Sequence, residues 1–140
     1  MAAYVKYEVF VEDLANKVHD FFGIDEAFKA TLCSDAPIVA TDTLLSDRTQ
    51  VANGGGYTTG GEDTQNNSTR TGGTLTETAT DIVWTATTGF GPFTYVDRYN
   101  DTTAAKVDPL INYWSYGSAV TLGAGETFTL DFGASVSTLA

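Results

Sequence analysis

Hydrophobic and polar residues alternate over most of the chain, and this two-residue period is typical of strands with one buried face. The clearest example lies near the C-terminus, where Phe128, Leu130 and Phe132 are separated by single polar residues. Glycine, proline, asparagine and aspartate separate the apolar runs, as expected of turns. The pattern predicts strands over Val5–Val9, Ala27–Leu32, Thr74–Ala86, Phe93–Tyr99, Leu110–Tyr116, Ala119–Leu122 and Glu126–Phe132.

One stretch near the N-terminus departs from this alternation. Its apolar residues recur at steps of three and four, which places them on one face of a helix. These residues are Phe10, Leu14, Val18 and Phe21. The sequence therefore predicts a short N-terminal helix over Phe10–Phe22, directly after the first strand.

A long stretch before the second half of the chain is poor in large apolar side chains. Over residues 51–73 glycine, asparagine and threonine dominate, and the sizeable apolar residues are Val51 and Tyr57. Loops of this length are usually functional or mobile. We predict a long Gly/Thr/Asn-rich surface loop here, or one weak hairpin.

Short strands separated by turn signals every eight to twelve residues or so are typical of all-β domains. The chain has 140 residues, of which 42% are hydrophobic, so it is long and apolar enough to bury a core. We predict a single, mainly antiparallel β domain over residues 1–140, either a β-sandwich of jelly-roll-like type or a small barrel.

The charge balance narrows the range of partners. Eighteen acidic and seven basic residues give a formal net charge of −11 at pH 7. Nucleic acids and anionic membrane surfaces bind cationic proteins, so we predict neither as a partner. No apolar run has the length of a membrane span, and the start lacks the basic and apolar regions of a secretory signal. We therefore expect neither an anchor nor a signal peptide.

Candidates for catalysis are few, and each has a simpler structural interpretation. His19 precedes Asp20, but consecutive side chains point apart, so we do not expect a base with its orienting carboxylate. Cys33 has no basic neighbour to lower its thiol pKa and is expected to be a small core residue. The segment NGGGYTTGG lacks the lysine and the strand–turn–helix context of a phosphate-binding loop. We predict no catalytic residue and no cofactor.

A calcium site and a glycan cleft remain as weaker hypotheses. Asp97, Asp101 and Asp108 bracket one connection, where loop oxygens could gather a calcium ion, but acids in polar loops are usually solvated. We therefore predict no metal. Four aromatic residues could line a glycan cleft or, with two carboxylates, a glycosidase site, although their strand alternation favours the core. They are Trp84, Tyr95, Tyr113 and Trp114.

Five phrases stand in a characteristic order along the chain: MAAYVKYEVFVEDLANKVHDF, FKATLCSDAP, NGGGYTTGG, DIVWTATTGFGPFTYVDRYNDT and PLINYWSYGSAVTLGAGETFTLDF. Together they resemble a family of small virion proteins encoded among the structural genes of tailed bacteriophages. Members are described as capsid decoration (cement) proteins, head fibres or unassigned structural proteins. The resemblance rests on phrase order and carries over no functional residue.

The resemblance implies a virion structural protein and not an enzyme. In its simplest form this is a decoration protein, made in the host cytoplasm, that binds the major capsid protein on the capsid exterior and stabilises contacts between capsomers. A dimer or trimer would suit a symmetric shell. The alternative is a head-fibre or tail-associated module that recognises a host-surface glycan. For the partner interface we predict aromatic anchors in the N-terminal segment. These are Tyr4, Tyr7, Phe21 and Phe22.

Overall fold

Antiparallel strands make up most of the regular structure. The computed structural model describes residues 2–22, 26–103 and 105–140. Within those ranges there is one α-helix, α1 (Val9–Ala15), and one 3-10 helix (Leu45–Asp47). The strands are β1 (Val5–Lys6), β2 (Phe28–Cys33), β3 (Glu62–Asp63), β4 (Asn67–Thr71), β5 (Thr74–Thr78), β6 (Ile82–Thr85), β7 (Gly89–Asn100), β8 (Leu110–Gly123), β9 (Thr127–Leu130) and β10 (Ser137–Leu139).

The strands form three sheets. The largest is five-stranded in the order β1-β8-β7-β2-β3, and a three-stranded sheet has the order β10-β5-β4. Strands β6 and β9 form a separate pair. Every pairing between named strands is antiparallel. The predicted all-β, mainly antiparallel and sandwich-like fold is therefore confirmed.

The main core lies between one face of the five-stranded sheet and the β6–β9 pair. Leu32, Val96 and Trp114 are directly paired across β2, β7 and β8, so their side chains project from the same face. Trp84 of β6 and Leu130 of β9 belong to the same buried cluster. Ile82 and Trp84 of β6 and Phe128 and Leu130 of β9 are the more buried positions, and the residues between them, including Val83, are exposed, as the alternation predicted.

The opposite face and the α1 end of the sheet carry two smaller clusters. Tyr7, Tyr99 and Leu110 pack with Leu45 of the 3-10 helix on the face opposite the main core. The third cluster lies beneath α1 and joins the helix to the starts of β2 and β8. Its buried members are Phe10, Phe21, Phe28 and Ile111.

The N-terminal helix is present but shorter than predicted, because α1 ends at Ala15 rather than Phe22. Lys17 has a φ of 60°, in the left-handed region, and this conformation cannot continue a right-handed helix. Val18 and Phe21 are nevertheless buried. Their spacing therefore indicated which side chains face the interior, although the backbone that carries them is not helical.

Several glycines predicted as corners lie inside strands. Strand β7 starts at Gly89 and includes Gly91, and β8 continues through Gly117 to Gly123. Instead of turns, the pairing between β7 and β8 contains bulges, at which its register shifts. Between the pairs Phe93–Val120 and Tyr95–Ser115, residues 116–119 of β8 oppose a single residue of β7.

Two further boundaries differ from the predictions. The predicted strand Thr74–Ala86 is divided into β5 and β6, which belong to different sheets. The C-terminal strand β10, which pairs with β5, was not predicted. Its three residues alternate between half-buried and exposed, a stretch too short to give a periodic signal.

The glycine-rich stretch 51–73 is long and irregular, but much of it lies against the core. Tyr57 is 2% exposed, and its hydroxyl accepts a hydrogen bond from the Leu32 amide at 2.9 Å. Thr64 is fully buried and donates to the Phe28 carbonyl at 2.6 Å. The end of the stretch forms β4, which makes a hairpin with β5, a strand that lies outside the stretch.

We predict that Gly61→Ala destabilises the protein far more than Gly72→Ala. Both glycines have positive φ, 71° and 60°, so both substitutions incur a similar conformational cost of about 1–2 kcal/mol. A Cβ at Gly61 would lie 1.8 Å from the Ala30 carbonyl oxygen of β2, whereas one at Gly72 would meet nothing within 4 Å. Urea denaturation should show a loss at Gly61 at least about 2 kcal/mol larger. Equal losses would contradict close packing of this stretch on β2.

Candidate functional site

Strand β7 carries two adjacent charged residues, Asp97 and Arg98, whose side chains are fully buried. Consecutive strand residues point to opposite faces, so each charge enters a different side of the five-stranded sheet. A buried charge requires a partner, since its desolvation is costly. Each of the two has a partner that comes from a segment lying over its own face.

Asp97 is held by two side chains. The Tyr7 hydroxyl donates to its Oδ1, and Arg48 Nε donates to its Oδ2 at 3.2 Å. The Arg48 guanidinium also donates from Nη1 to Asp35 Oδ2 at 2.6 Å and lies 5.9 Å from the centre of the Tyr95 ring. Arg48 therefore fixes the segment that contains the 3-10 helix against the sheet.

The titration properties of this cluster follow from its burial. Burial raises the pKa of the Asp97 carboxyl, while Arg48 and the Tyr7 hydroxyl oppose that shift. Burial also raises the pKa of the Cys33 thiol, and the neighbouring Asp97 adds to the effect. Thiolates are the reactive form of cysteine, so the fully buried Cys33 is suited to packing and not to nucleophilic attack.

Arg98 has a matching arrangement on the other face. Its Nη2 donates to Glu77 Oε1 of β5 at 2.6 Å, and both side chains are fully buried. The guanidinium carbon lies 5.4 Å from the centre of the Phe28 ring, and Ser137 of β10 donates to Glu77 Oε2 at 2.8 Å. This pair therefore ties the three-stranded sheet to the five-stranded one.

A third buried polar group surrounds His19, which is 5% exposed. Asn100 Nδ2 lies 3.2 Å from His19 Nδ1 and donates to Glu26 Oε2 at 2.8 Å, while Asn100 Oδ1 accepts from the Thr102 amide. These bonds fix Nδ2 as a donor, so Nδ1 of His19 accepts and the neutral ring carries its proton on Nε2. Burial lowers the pKa of His19 to about 4, although the nearby Asp13 carboxylate opposes the shift.

The structure does not bring together the residues that the catalytic and metal hypotheses require. Asp20 is exposed and accepts a hydrogen bond from the Phe22 amide at 3.0 Å, whereas His19 contacts Asn100. Asp97 is engaged with Arg48, and Asp101 pairs with Lys29 at 2.9 Å. Across residues 2–22, 26–103 and 105–140, no group of three or more His, Cys, Asp or Glu side chains is placed to hold a metal ion.

The four aromatic residues considered for a glycan cleft do not form one together. Trp84 and Trp114 are each 3% exposed and belong to the main core. Tyr95 and Tyr113 are half-buried on the opposite face, with ring centres 6.0 Å apart.

The four predicted interface aromatics separate into interior and accessible residues. Tyr7 is fully buried at Asp97, and Phe21 is 6% exposed beneath α1. Tyr4 is half-buried, and its ring packs edge-on against Trp114 at 6.0 Å; burial raises its pKa to about 12. Phe22 is 55% exposed and is the member of the set that a partner can reach most fully.

Exposed large hydrophobic side chains are concentrated near α1. We use the name α1 surface for Val11, Phe22, Ile38 and Val107, whose exposures are 55%, 55%, 60% and 77%. Val11 lies on α1 itself. Phe22 follows Phe21, whose ring packs edge-on against Phe10 of α1 with centres 5.9 Å apart.

Two polar contacts bring the other members of the α1 surface to the helix. Val107 follows Lys106, whose ammonium group pairs with Asp13 of α1. Ile38 precedes Val39, whose carbonyl accepts from the amide of Glu8 at the start of the helix, at 3.2 Å. All four exposed side chains therefore lie on α1 or on segments joined to it.

A groove lies between β8 and β9, and we call it the β8–β9 groove. It has a volume of about 250 Å3 and is lined by residues 114–116 of β8, residues 128–131 of β9, Ala2 and Val96. A second cavity of about 330 Å3 is lined by Tyr4, Lys6 and Phe10 and by the three residues of β10.

Sequence reasoning did not identify Arg48 and Glu77 as partners of buried charges. A signal was present in the sequence, because Asp97 and Arg98 interrupt a strand of aromatic and apolar residues. Charged residues are almost never fully buried unless they are paired. The pattern can thus indicate that partners are needed, but their positions depend on the tertiary fold.

We predict that Arg98→Met lowers the free energy of unfolding by about 3–5 kcal/mol, because it leaves Glu77 buried without its counter-charge. The double variant Arg98→Met/Glu77→Gln should be more stable than Arg98→Met alone. Urea denaturation of the wild type, both single variants and the double variant measures the coupling. Additive losses would contradict a direct buried pair.

The His19 environment predicts a loss of stability in mild acid. The unfolded pKa is about 6.5 and the folded pKa is about 4, so the folded protein binds fewer protons between these values. The free energy of unfolding should therefore fall by about 2–3 kcal/mol as the pH drops from about 6.5 to about 4, and level off below. His19→Gln should show a smaller fall in urea denaturation across this window. An equal fall in both proteins would contradict the assignment.

In the part of the chain that the structure describes, no helix is long and apolar enough to cross a membrane. No protein-family model, curated protein or solved structure matches the chain.

Proposed function

We propose that the chain is a structural protein of a tailed-bacteriophage virion, namely a decoration (cement) protein on the capsid exterior. It binds the major capsid protein there and stabilises contacts between capsomers. The observation that carries this proposal is the α1 surface, a set of exposed apolar side chains on segments held to one helix. The class of particle is proposed from the five sequence phrases that resemble virion proteins of tailed bacteriophages.

The distribution of polar groups supports a binding role over a catalytic one. Asp97, Arg98, Arg48 and Glu77 are buried in ion pairs, and Cys33 is buried with a raised pKa. These groups hold segments together and are not presented to a substrate. We therefore assign the protein no reaction of its own and no cofactor.

The α1 surface suits a protein partner. Aromatic residues are enriched among the side chains that dominate binding free energies, and Phe22 supplies such a residue at 55% exposure. The net charge of −11 keeps free copies apart in solution, so association depends on a local apolar contact. A dimer or trimer that matches a symmetry axis of the shell would place several α1 surfaces on neighbouring capsomers.

The proposal predicts that Phe22→Ser weakens binding to purified capsids assembled without the protein. We expect affinity to fall at least about fivefold, since loss of an aromatic anchor costs about 1 kcal/mol or more. Val83→Ser is the matched control, because Val83 is 57% exposed but lies on β6, away from α1. Cosedimentation with capsids measures both.

Saturating wild-type protein should bind in a fixed ratio to capsid subunits and raise the temperature at which capsids release their DNA. Failure of the wild type to bind capsids would overturn the proposed function. Equal binding by the Phe22 and Val83 variants would overturn the assignment of the α1 surface as the contact.

A further inference from the structure

We propose that the α1 surface binds a basic patch of its partner, in which an arginine or lysine side chain lies between Glu8 and Glu12 beside an apolar contact. This inference rests on the proposed function, because it specifies the chemistry of the capsid face that the α1 surface contacts. The exposed face of α1, the bonding of its carboxylates and the charges around it support the inference.

The outward face of α1 combines apolar and acidic side chains. Glu8 immediately precedes the helix and Glu12 lies one turn later, so the two carboxylates are neighbours, with Val11 beside them. All three side chains are exposed. Phe10 and Asp13, on the inward side of the helix, are buried. A partner that reaches Val11 therefore also meets both carboxylates.

The two carboxylates are not used to hold the fold together. Neither Glu8 nor Glu12 forms an ion pair with any residue that the structure describes, and Glu8 makes no capping hydrogen bond to the helix. By contrast, Asp13 pairs with Lys106. Like charges four residues apart on a helix repel each other. A cationic side chain placed between them would replace this repulsion by two attractions.

Negative charge predominates around the α1 surface. Across residues 8–22 the exposed carboxylates are those of Glu8, Glu12 and Asp20. Lys17 carries the one exposed ammonium group in this range. The ammonium group of Lys106 is engaged by Asp13, so it adds no free positive charge. Since interfaces bring surfaces of opposite potential together, this surface favours a cationic partner.

The same charges select among possible partners. Nucleic acids and anionic membranes would be repelled. A second copy of the chain, docked through the same surface by a two-fold axis, would place the same carboxylates near one another. A different protein with arginine or lysine beside an apolar patch satisfies both parts of the α1 surface. In the proposed function this protein is the major capsid protein.

The test measures binding of the full-length protein to purified capsids assembled without it, by cosedimentation at two salt concentrations. At about 50 mM NaCl, Glu8→Gln/Glu12→Gln should bind about three- to tenfold more weakly than the wild type. At about 500 mM NaCl the two should agree within about twofold, because salt screens exposed charges. Glu12→Lys should bind more weakly still at the lower salt, since it repels the cation of the partner.

Glu62→Lys is the matched control. Glu62 is exposed on β3, at the opposite edge of the five-stranded sheet from β1. The double variant removes two negative charges, and each Glu→Lys change removes one and adds a positive one, so all three proteins have a net charge of −9 instead of −11. Glu62→Lys should bind within about twofold of the wild type at both salt concentrations.

The variants must also be shown to fold. Carboxylates near a helix N-terminus stabilise the helix modestly. Far-UV circular dichroism and urea denaturation therefore accompany each binding measurement, and we expect all variants to be folded under the binding conditions.

Equal binding by the double variant, Glu12→Lys and the wild type would overturn this inference and leave the capsid role in place. An equal loss in Glu62→Lys and Glu12→Lys would also overturn it, because overall charge would then be responsible. A dimer of the wild type that Phe22→Ser dissociates would assign the α1 surface to self-association instead. Failure of the wild type to bind capsids at either salt concentration would remove the proposed function and this inference with it.

Discussion

The structure depends on two opposite charges that β7 buries side by side. Asp97 and Arg98 are neighbours in the chain, and the strand directs them into opposite faces of the five-stranded sheet. Each can be buried only if a counter-charge covers that face, so Arg48 must lie on one side and Glu77 on the other. Buried ion pairs contribute little net stability compared with apolar contacts, but removal of one partner is costly. We infer that they specify which segments cover the sheet, and so fix the positions of the 3-10 helix segment and of β5.

In this arrangement the two buried charges of β7 are engaged in ion pairs, while exposed apolar side chains are concentrated near α1. The α1 surface lies near the end of β7 at Asn100, whose side chain contacts His19 beneath α1. The bulge that carries Tyr116 lies opposite Thr94, six residues along β7, or roughly 20 Å at about 3.3 Å per residue. The five-stranded sheet therefore separates the α1 surface from the exposed ring of Tyr116.

Much of the fold could be predicted from local periodicity. In β6 and β9 one face is buried and the other is solvated, so alternation predicted both the strands and the inward residues. The same reasoning made the helix too long, because Val18 and Phe21 are buried although the backbone at these residues is not helical. It also predicted a turn at Gly117, where a bulge lies within the continuous strand β8. These outcomes depend on contacts between distant segments, which periodicity does not record.

The sites were harder to predict for the same reason. Tyr7 and Phe22 are both aromatic residues of the N-terminal segment, but one is bonded to Asp97 in the interior and the other is exposed. Nothing in their local sequence separates them. Likewise, Tyr116 is exposed because residues 116–119 form a bulge within β8, at a position where Gly117 predicted a turn. Tyr57, in a stretch that resembles a loop, is buried because its hydroxyl meets the backbone of β2.

The most direct test of the proposed capsid role is a cryo-electron microscopy reconstruction of purified capsids saturated with the protein. The proposal predicts density at regular positions over the outside of the shell, with the α1 surface against the major capsid protein. Absence of such density, or contact with the shell through a face remote from α1, would contradict it.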